Sequence, residues 1–284
     1  MRVTVFATLA LALSWTLWYA LAPHLTGLAI AFLAAAYMFG PLVAALITAA
    51  IFDRGRIGRA LGVRAGINLW YAVAWLAAPV VVFSGLGVAL LVPGNEPQSH
   101  LVGIEAALRA AGQPVPEDLA SKAPALPMIL AISMVAGVIP NAIFAFGEEA
   151  GWRGYLWGAL RPGGFWKASL ATGLLWGVWH APLIVNGHNY GVVYPGAPWS
   201  GVAMMTLFCV ALSPLMGLIR DRSGASIAPA IFHGTLNALA SVAILLQTGT
   251  SPLVTGPAGA AAIVAIGVVT GFVVLLRPNR APRG

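Results

Sequence analysis

Two adjacent carboxylates, Glu148 and Glu149, lie in an otherwise apolar stretch, Phe144-Ala145-Phe146-Gly147-Glu148-Glu149-Ala150-Gly151-Trp152-Arg153, with Arg153 one helical turn beyond. The whole chain has only eight acidic residues. An ionised carboxylate is costly to hold in hydrocarbon, so two at one depth point to chemistry rather than packing. Three later polar groups interrupt apolar runs in the same way. His180 ends Leu174-Leu175-Trp176-Gly177-Val178-Trp179-His180, and His233 and Asn237 punctuate Ile231-Phe232-His233-Gly234-Thr235-Leu236-Asn237. Spaced i and i+4, the last two share one helix face.

That set suits hydrolysis of an amide without a serine or cysteine nucleophile. A carboxylate in a dry pocket can act as general base on a water. A histidine beside it can hold that water, and the oxyanion formed on attack needs donors placed in advance. His233 and Asn237 are suitable donors. Basic residues near the span ends put these groups in one layer. Glu148 is 13 residues before Arg161, His180 is 13 after Lys167, and His233 and Asn237 are 11 and 15 after Arg222. At ~1.5 Å per residue all four lie about 16–22 Å from those anchors. The simplest arrangement has them converge on a water-containing cavity inside a bundle.

The elements that must position them are membrane helices. The 284 residues are 60% hydrophobic and 8% charged, with a mean hydropathy of +0.88. Soluble domains carry about 25% charged residues. The apolar runs are too long and too weakly alternating for barrel strands, so backbone groups must bond within helices. The expected fold is all-α, a polytopic membrane bundle in one domain spanning 1–284, with about eight helices near 3–23, 27–52, 67–93, 128–160, 168–187, 199–219, 225–247 and 257–277. The fourth is too long for one straight span, and Pro140 should kink or divide it. Met1-Arg2, an apolar run and Ala20-Leu21-Ala22 resemble a secretory signal, but the run exceeds a signal core and reads as a first helix.

The net charge of +7 comes from basic residues in short loops, which set orientation and meet anionic lipid. Nucleic acid is not an expected partner. Arg54, Arg56, Arg59, Arg64, Arg161, Lys167, Arg220, Arg222, Arg277, Arg280 and Arg283 fall on one side. Glu96, Glu105, Glu117 and Asp118 fall on the other, in a long loop from Gly94 to about Leu126 with a helix-like patch at 101–111. The positive-inside rule then predicts an integral protein of the plasma or inner membrane with both termini cytoplasmic. The single Cys209 excludes an internal disulfide.

Glu-Glu-x-x-x-Arg, then aromatic-x-x-x-His, then His-x-x-x-Asn, in that order on successive helices, resembles the CAAX protease and bacteriocin-processing family, which includes the type II CAAX prenyl endopeptidases. The motifs span about residues 144–240, within a protease-like core of about 127–247. The resemblance implies an intramembrane endopeptidase acting on a membrane-associated, in some members prenylated, peptide or protein. By the match Glu148 would be the water-activating base, His180 its partner, and His233 with Asn237 the oxyanion site. Glu149 and Arg153 occupy supporting positions, where an i, i+4 pair would neutralise itself. The family often has Phe where this chain has Trp176, a larger ring expected to alter cavity shape more than chemistry.

Other readings stay open. The carboxylates and Arg153 could form a structural network, and Asn237 could simply bond a neighbouring helix. Trp152, Trp176 and Trp179 could line a substrate path or merely pack. Trp15, Trp18, Trp70 and Trp199 suit interfacial anchoring. Gly147, Gly151 and Gly154 would admit a close neighbouring helix. No metal is favoured, although Glu148, His180 and His233 could supply a two-histidine, one-carboxylate zinc set. A non-catalytic immunity or adaptor protein of the same family is the competing function.

Overall fold

The computed structural model describes residues 1–64 and 66–275. Among these residues the regular structure is helical, and the only sheet-like pairing is an isolated bridge between Pro97 and Gln247. The predicted all-α bundle is therefore the observed fold. In chain order the helices are α1 (Arg2–Leu21), α2 (Leu28–Tyr37), α3 (Gly40–Phe52) and the single turn α4 (Ile57–Ala60), then α5 (Leu69–Ala89), α6 (His100–Ala110) and the turn α7 (Leu119–Lys122). After them come α8 (Leu126–Ala136), α9 (Ala142–Glu149), α10 (Trp157–Leu160), α11 (Phe165–Trp179), α12 (Ala181–Val185), α13 (Trp199–Ser223), α14 (Ile227–Leu245) and α15 (Ala260–Leu275).

Six segments of the described chain are long and apolar enough to cross a bilayer, against about eight expected: Arg2–His24, Leu28–Phe52, Leu69–Ala89, Leu126–Gly163, Trp199–Ser223 and Ile227–Leu245. The other two expected elements are present but shorter. The 15-residue α11 ends at His180 because Pro182 has no N–H to continue the ladder. The eighth forms the 16-residue α15. The end of its expected range, with Arg277, Arg280 and Arg283, lies outside the described residues.

Proline also sets the other breaks. Pro41 stands at the start of α3 and separates it from α2. In the 38-residue Leu126–Gly163 segment, Ile139 takes an extended conformation (φ −145°, ψ 118°) just before Pro140, dividing it as its length required. The chain kinks there between α8 and α9, and a π-helical turn over 150–156 joins α9 to α10. Such turns widen the helix locally and recur at functional sites.

The core lies between α1, α3, α5, α9, α11, α13, α14 and α15. The most extensive pairings are α11 on α13, α14 on α5, α15 on α5, α1 on α3 and α14 on α9. Small residues permit these approaches. A Cβ on Gly147 would lie 2.8 Å from the Met38 carbonyl oxygen, one on Gly151 would lie 2.6 Å from the Pro41 side chain, and one on Gly154 would collide with the Leu61 carbonyl. These three glycines seat the carboxylate helix on the start of α3 and the turn after α4, as their spacing implied. On the far side a Cβ on Gly234 would lie 2.5 Å from the Ala142 nitrogen, so α14 and α9 also meet backbone to backbone.

The outer loop contains the expected helix as α6, but its Gly103 packs against Leu245 at the end of α14. Asn95 fastens the same loop by donating to the Ala89 carbonyl and to Gln247 Oε1, both at 2.8 Å. At the opposite end Gly224, at φ 75°, closes α13 in the left-handed conformation that glycine adopts without strain. Two tryptophans depart from the anchoring role expected of them. Trp18 is buried against Tyr37, and the half-buried Trp15 donates to the Trp179 carbonyl at 3.1 Å. Both lie on the face of α1 that packs inward, so helix rotation overrides position along the span. Trp199 is exposed, as an anchor would be.

Candidate active site

The site is built where α9 and its π-helical turn, the broken end of α11 and the middle of α14 meet. Glu148, Glu149, Arg153, His180 and His233 are all buried, and Glu149 and Arg153 have no exposure at all. The structure thus brings together five of the six polar residues singled out in the motifs, from three separate helical segments.

The two carboxylates have different surroundings. Glu149 Oε1 accepts from Arg153 Nη1 at 3.1 Å and from His233 Nδ1 at 3.0 Å. It is the shared anion of a buried triad. Arg153 also stacks over the Trp176 ring at 4.3 Å, reaches Ser213 Oγ at 3.5 Å, and offers its backbone carbonyl to Arg220 Nε at 2.8 Å. Glu148 is free of that triad. Its Oε2 accepts from Trp176 Nε1 at 2.6 Å, and no described residue bonds its Oε1. Glu149 is therefore held to Arg153 and His233 through Oε1 alone, its Oε2 being buried without a partner, while Glu148 is bonded only to an indole.

Trp176 does more than shape the cavity. Its indole N–H holds Glu148, its ring covers Arg153, and its edge meets His233 at 5.3 Å and His180 at 5.8 Å between ring centres. Its backbone carbonyl also accepts from His180 Nδ1 at 2.8 Å. A phenylalanine at this position would keep the ring contacts and lose the bond to Glu148.

The break at Pro182 explains the His180 contact. The backbone N–H of His180 turns back to the Gly177 carbonyl, leaving the Trp176 carbonyl without its helical partner. The imidazole of His180 supplies one. A carbonyl can only accept, so Nδ1 carries the proton, and in the neutral ring Nε2 is left as an acceptor. The next carbonyl freed by the break, that of Trp179, receives Trp15 Nε1 and the Tyr37 hydroxyl at 2.5 Å. Every exposed backbone group in a membrane interior must find such a partner.

The same logic assigns His233. Its Nδ1 faces a carboxylate oxygen, so Nδ1 donates and Nε2 is the ring atom free for other work. Asn237, one turn further along α14, is exposed and forms no hydrogen bond with the described residues. It shares the face of His233 but lies outside the buried cluster, at a more open position.

Trp152 and Trp179 form an aromatic wall beside the site, 6.0 Å apart in edge contact, with Trp179 also 4.8 Å from His180. Phe6 of α1 packs on Trp152 at 5.6 Å, which ties the first helix to this wall. His188, read from the sequence as a loop residue, is in the turn after α12 but stacks parallel on His180 at 6.5 Å. Tyr37, Asn141 and Ser213 were not legible as site residues. Asn141 donates to the Gly234 carbonyl at 3.4 Å and so docks the Pro140 break on α14 beside His233. The proline at 182 is the one sequence signal that could have drawn attention to Tyr37 and Trp15, because it orphans carbonyls that need donors.

Among the described residues no group of three or more His, Cys, Asp or Glu side chains is placed to hold a metal ion. The zinc set of Glu148, His180 and His233 is drawn instead into bonds with Trp176 and Glu149.

Residues 122–239, which contain every motif residue, match the family described as Type II CAAX prenyl endopeptidase Rce1-like. A stretch of 98 residues is 33% identical to the CAAX prenyl protease 2 of Methanococcus maripaludis, covering 32% of this chain. It spans 34% of that relative, so the likeness extends over about a third of each protein. The similarity thus falls on the segment that builds the site, and the chain is an integral membrane protein with a polytopic helical bundle.

Proposed function

We propose that the chain is an intramembrane endopeptidase that hydrolyses a peptide bond in a membrane-associated peptide, with or without a prenyl group, by means of a water activated at Glu148. The observation that carries this reading is the division of labour between the carboxylates: Glu149 is tied through Oε1 to Arg153 and His233, whereas Glu148 is bonded only to the neutral Trp176 indole and to no cation.

In this mechanism Oε1 of Glu148 takes a proton as the water oxygen attacks the carbonyl carbon, and the resulting acid returns it to the leaving amine. His180 accepts a hydrogen bond from the water at Nε2, since its Nδ1–H is held by the Trp176 carbonyl. His233 donates from Nε2 to the oxyanion, with the more open Asn237 as the second donor. For that role His233 must carry protons on both nitrogens, and the Glu149 carboxylate is placed to hold the resulting cation. No step is routed through a metal. The Arg-rich end of the bundle faces the cytoplasm in this reading.

The test is cleavage of a library of membrane-anchored and prenylated peptides by wild type and by Glu148→Gln in lipid. Cleavage by wild type alone supports the assignment. Equal cleavage by both folded proteins refutes Glu148 as the base. The competing immunity or adaptor reading has no use for a second buried carboxylate, Glu148, that no cation is bonded to.

A further inference from the structure

The Arg-rich end of the bundle contains a second concavity, distinct from the carboxylate site, of about 250 Å³. Arg2 enters it from α1, Asp53 from the end of α3, Arg56 and Arg59 from the turn that follows, Arg220 from α13, and Tyr155 from the site helix. The wall between them consists of small residues, Gly158 among them, so the space is kept open by the absence of side chains.

Four arginines and one carboxylate line it, and that carboxylate is already engaged. Asp53 Oδ1 takes Arg2 at 3.2 Å and Oδ2 accepts from the Tyr155 hydroxyl at 3.3 Å. Arg220 is fixed through Nε to the Arg153 carbonyl. Arg56 and Arg59 are exposed and have no ion pair with any described residue. Like charges gathered at one concavity repel unless an anion sits between them. Guanidinium groups in a cluster fit the oxygens of a phosphate.

The position in the membrane narrows the source. Arg2 opens the apolar segment Arg2–His24, Asp53 follows Leu28–Phe52 directly, Arg220 precedes the end of Trp199–Ser223, and Gly158 is near the end of Leu126–Gly163. The concavity is therefore level with the ends of four membrane segments, which is the headgroup layer. Its volume lies below the ~300–1,000 Å³ of pockets for larger organic ligands, which suits a single phosphate-bearing headgroup. We infer that the pocket formed by Arg2, Arg56, Arg59 and Arg220 binds a phosphate group, supplied by an anionic phospholipid of the surrounding leaflet. A bound phosphate also braces Arg220, and through its bond the Arg153 carbonyl beside the buried triad.

The experiment uses the full chain, delipidated in neutral detergent and titrated separately with phosphatidylglycerol, phosphatidylcholine and inorganic phosphate while thermal stability is followed. The variant is Arg56→Gln/Arg59→Gln, whose side chains are exposed and unpaired. A charge-matched control, Arg54→Gln/Lys167→Gln, removes two exposed cations outside the pocket. Phosphatidylglycerol should raise the midpoint of wild type and control alike, with phosphatidylcholine inert and apparent affinity roughly thirtyfold weaker in the pocket variant. A variant-sensitive shift with inorganic phosphate alone would support the site while assigning it a soluble anion. Equal affinity in wild type and pocket variant, equal loss in the control, or an equal response to phosphatidylcholine would each overturn the inference.

Discussion

Glu149→Gln and Glu148→Gln are chemically the same change one residue apart, and the structure requires them to behave in opposite ways. Glu149 has no exposure and is the anion for both Arg153 and His233. Its amide would keep an oxygen to accept but would remove the negative charge that neutralises the fully buried guanidinium, which otherwise has only the 3.5 Å contact to Ser213 and the face of Trp176. Removing one partner of a buried ion pair typically costs about 3–5 kcal/mol. At ~2–4 °C per kcal/mol for a domain approaching this size, the apparent unfolding midpoint should fall by about 10 °C. Glu148 has one bond, from a neutral indole, and the glutamine amide keeps an oxygen to accept it. That variant should unfold within ~2–3 °C of wild type, for a cost under about 1 kcal/mol. The assay is thermal unfolding in one detergent at one scan rate, read by far-ultraviolet circular dichroism and by loss of the monodisperse chromatographic peak. A companion variant, Glu149→Gln/Arg153→Met, removes both charges and should recover part of the lost stability, because the penalty is the stranded cation rather than the missing bond. If Glu149→Gln were as stable as wild type, or Glu148→Gln as damaged as Glu149→Gln, the proposed division between a structural and a reactive carboxylate would be wrong.

The other expectations concern the groups around that pair. Trp176→Phe keeps the ring over Arg153 but removes the donor to Glu148; a hydrogen bond to a charged group is worth about 1.5–3 kcal/mol, so cleavage should slow by about tenfold or more while the protein still folds, and an unchanged rate would show that the indole does not position the carboxylate. Gly151→Leu would drive a side chain into Pro41 and should destabilise by at least the ~1–3 kcal/mol typical of overpacking, measurable as a lowered unfolding midpoint, whereas the same change at Gly158, where an added Cβ meets nothing within 4 Å, should be far milder. If His233 donates to the oxyanion from Nε2, it must be an imidazolium, so the turnover rate should fall as pH rises and the ring loses its second proton; a rate that climbs steadily into the alkaline range would exclude that role. Pro182→Ala restores an N–H to α12, lets the helix close across His180 and competes for its carbonyl contact, so activity should fall more than stability, as a paired rate and melting measurement would reveal.

Glu149 and Trp176 together explain why the site can be preorganised within a low-dielectric interior. The triad of Glu149, Arg153 and His233 places a carboxylate between a guanidinium and an imidazole, so its anion and its cations stabilise one another within the bundle. Trp176 then links that network to both Glu148 and His180 through one residue. Side chains held from several directions lose little freedom when a substrate arrives, which is the condition for electrostatic catalysis.

Composition and hydropathy alone determined that the chain is a helical membrane bundle, because lipid offers backbone groups no partners and only closed ladders survive there. The length of the 128–160 run and Pro140 required a break in the fourth helix, and the glycine spacing at 147, 151 and 154 required a close neighbour. The polar residues betrayed themselves by their cost in hydrocarbon, so Glu148, His180, His233 and Asn237 were read as one layer, with Glu149 and Arg153 in support, before any coordinates. What remained hidden was who bonds whom. Depth along a helix follows from counting residues, but rotation, register between helices and the direction of each bond do not. Only the packed structure decides that Glu149 rather than Glu148 holds His233, that Trp176 is the donor to Glu148, that Asn237 lies in the open, and that Trp18 faces inward. The shortness of α11 likewise follows from Pro182, but the donors that answer its freed carbonyls come from α1 and α2, more than 140 positions away in the chain. Such pairings depend on how helices distant in sequence settle against one another, and a pattern read along a single strand of residues contains no term for that.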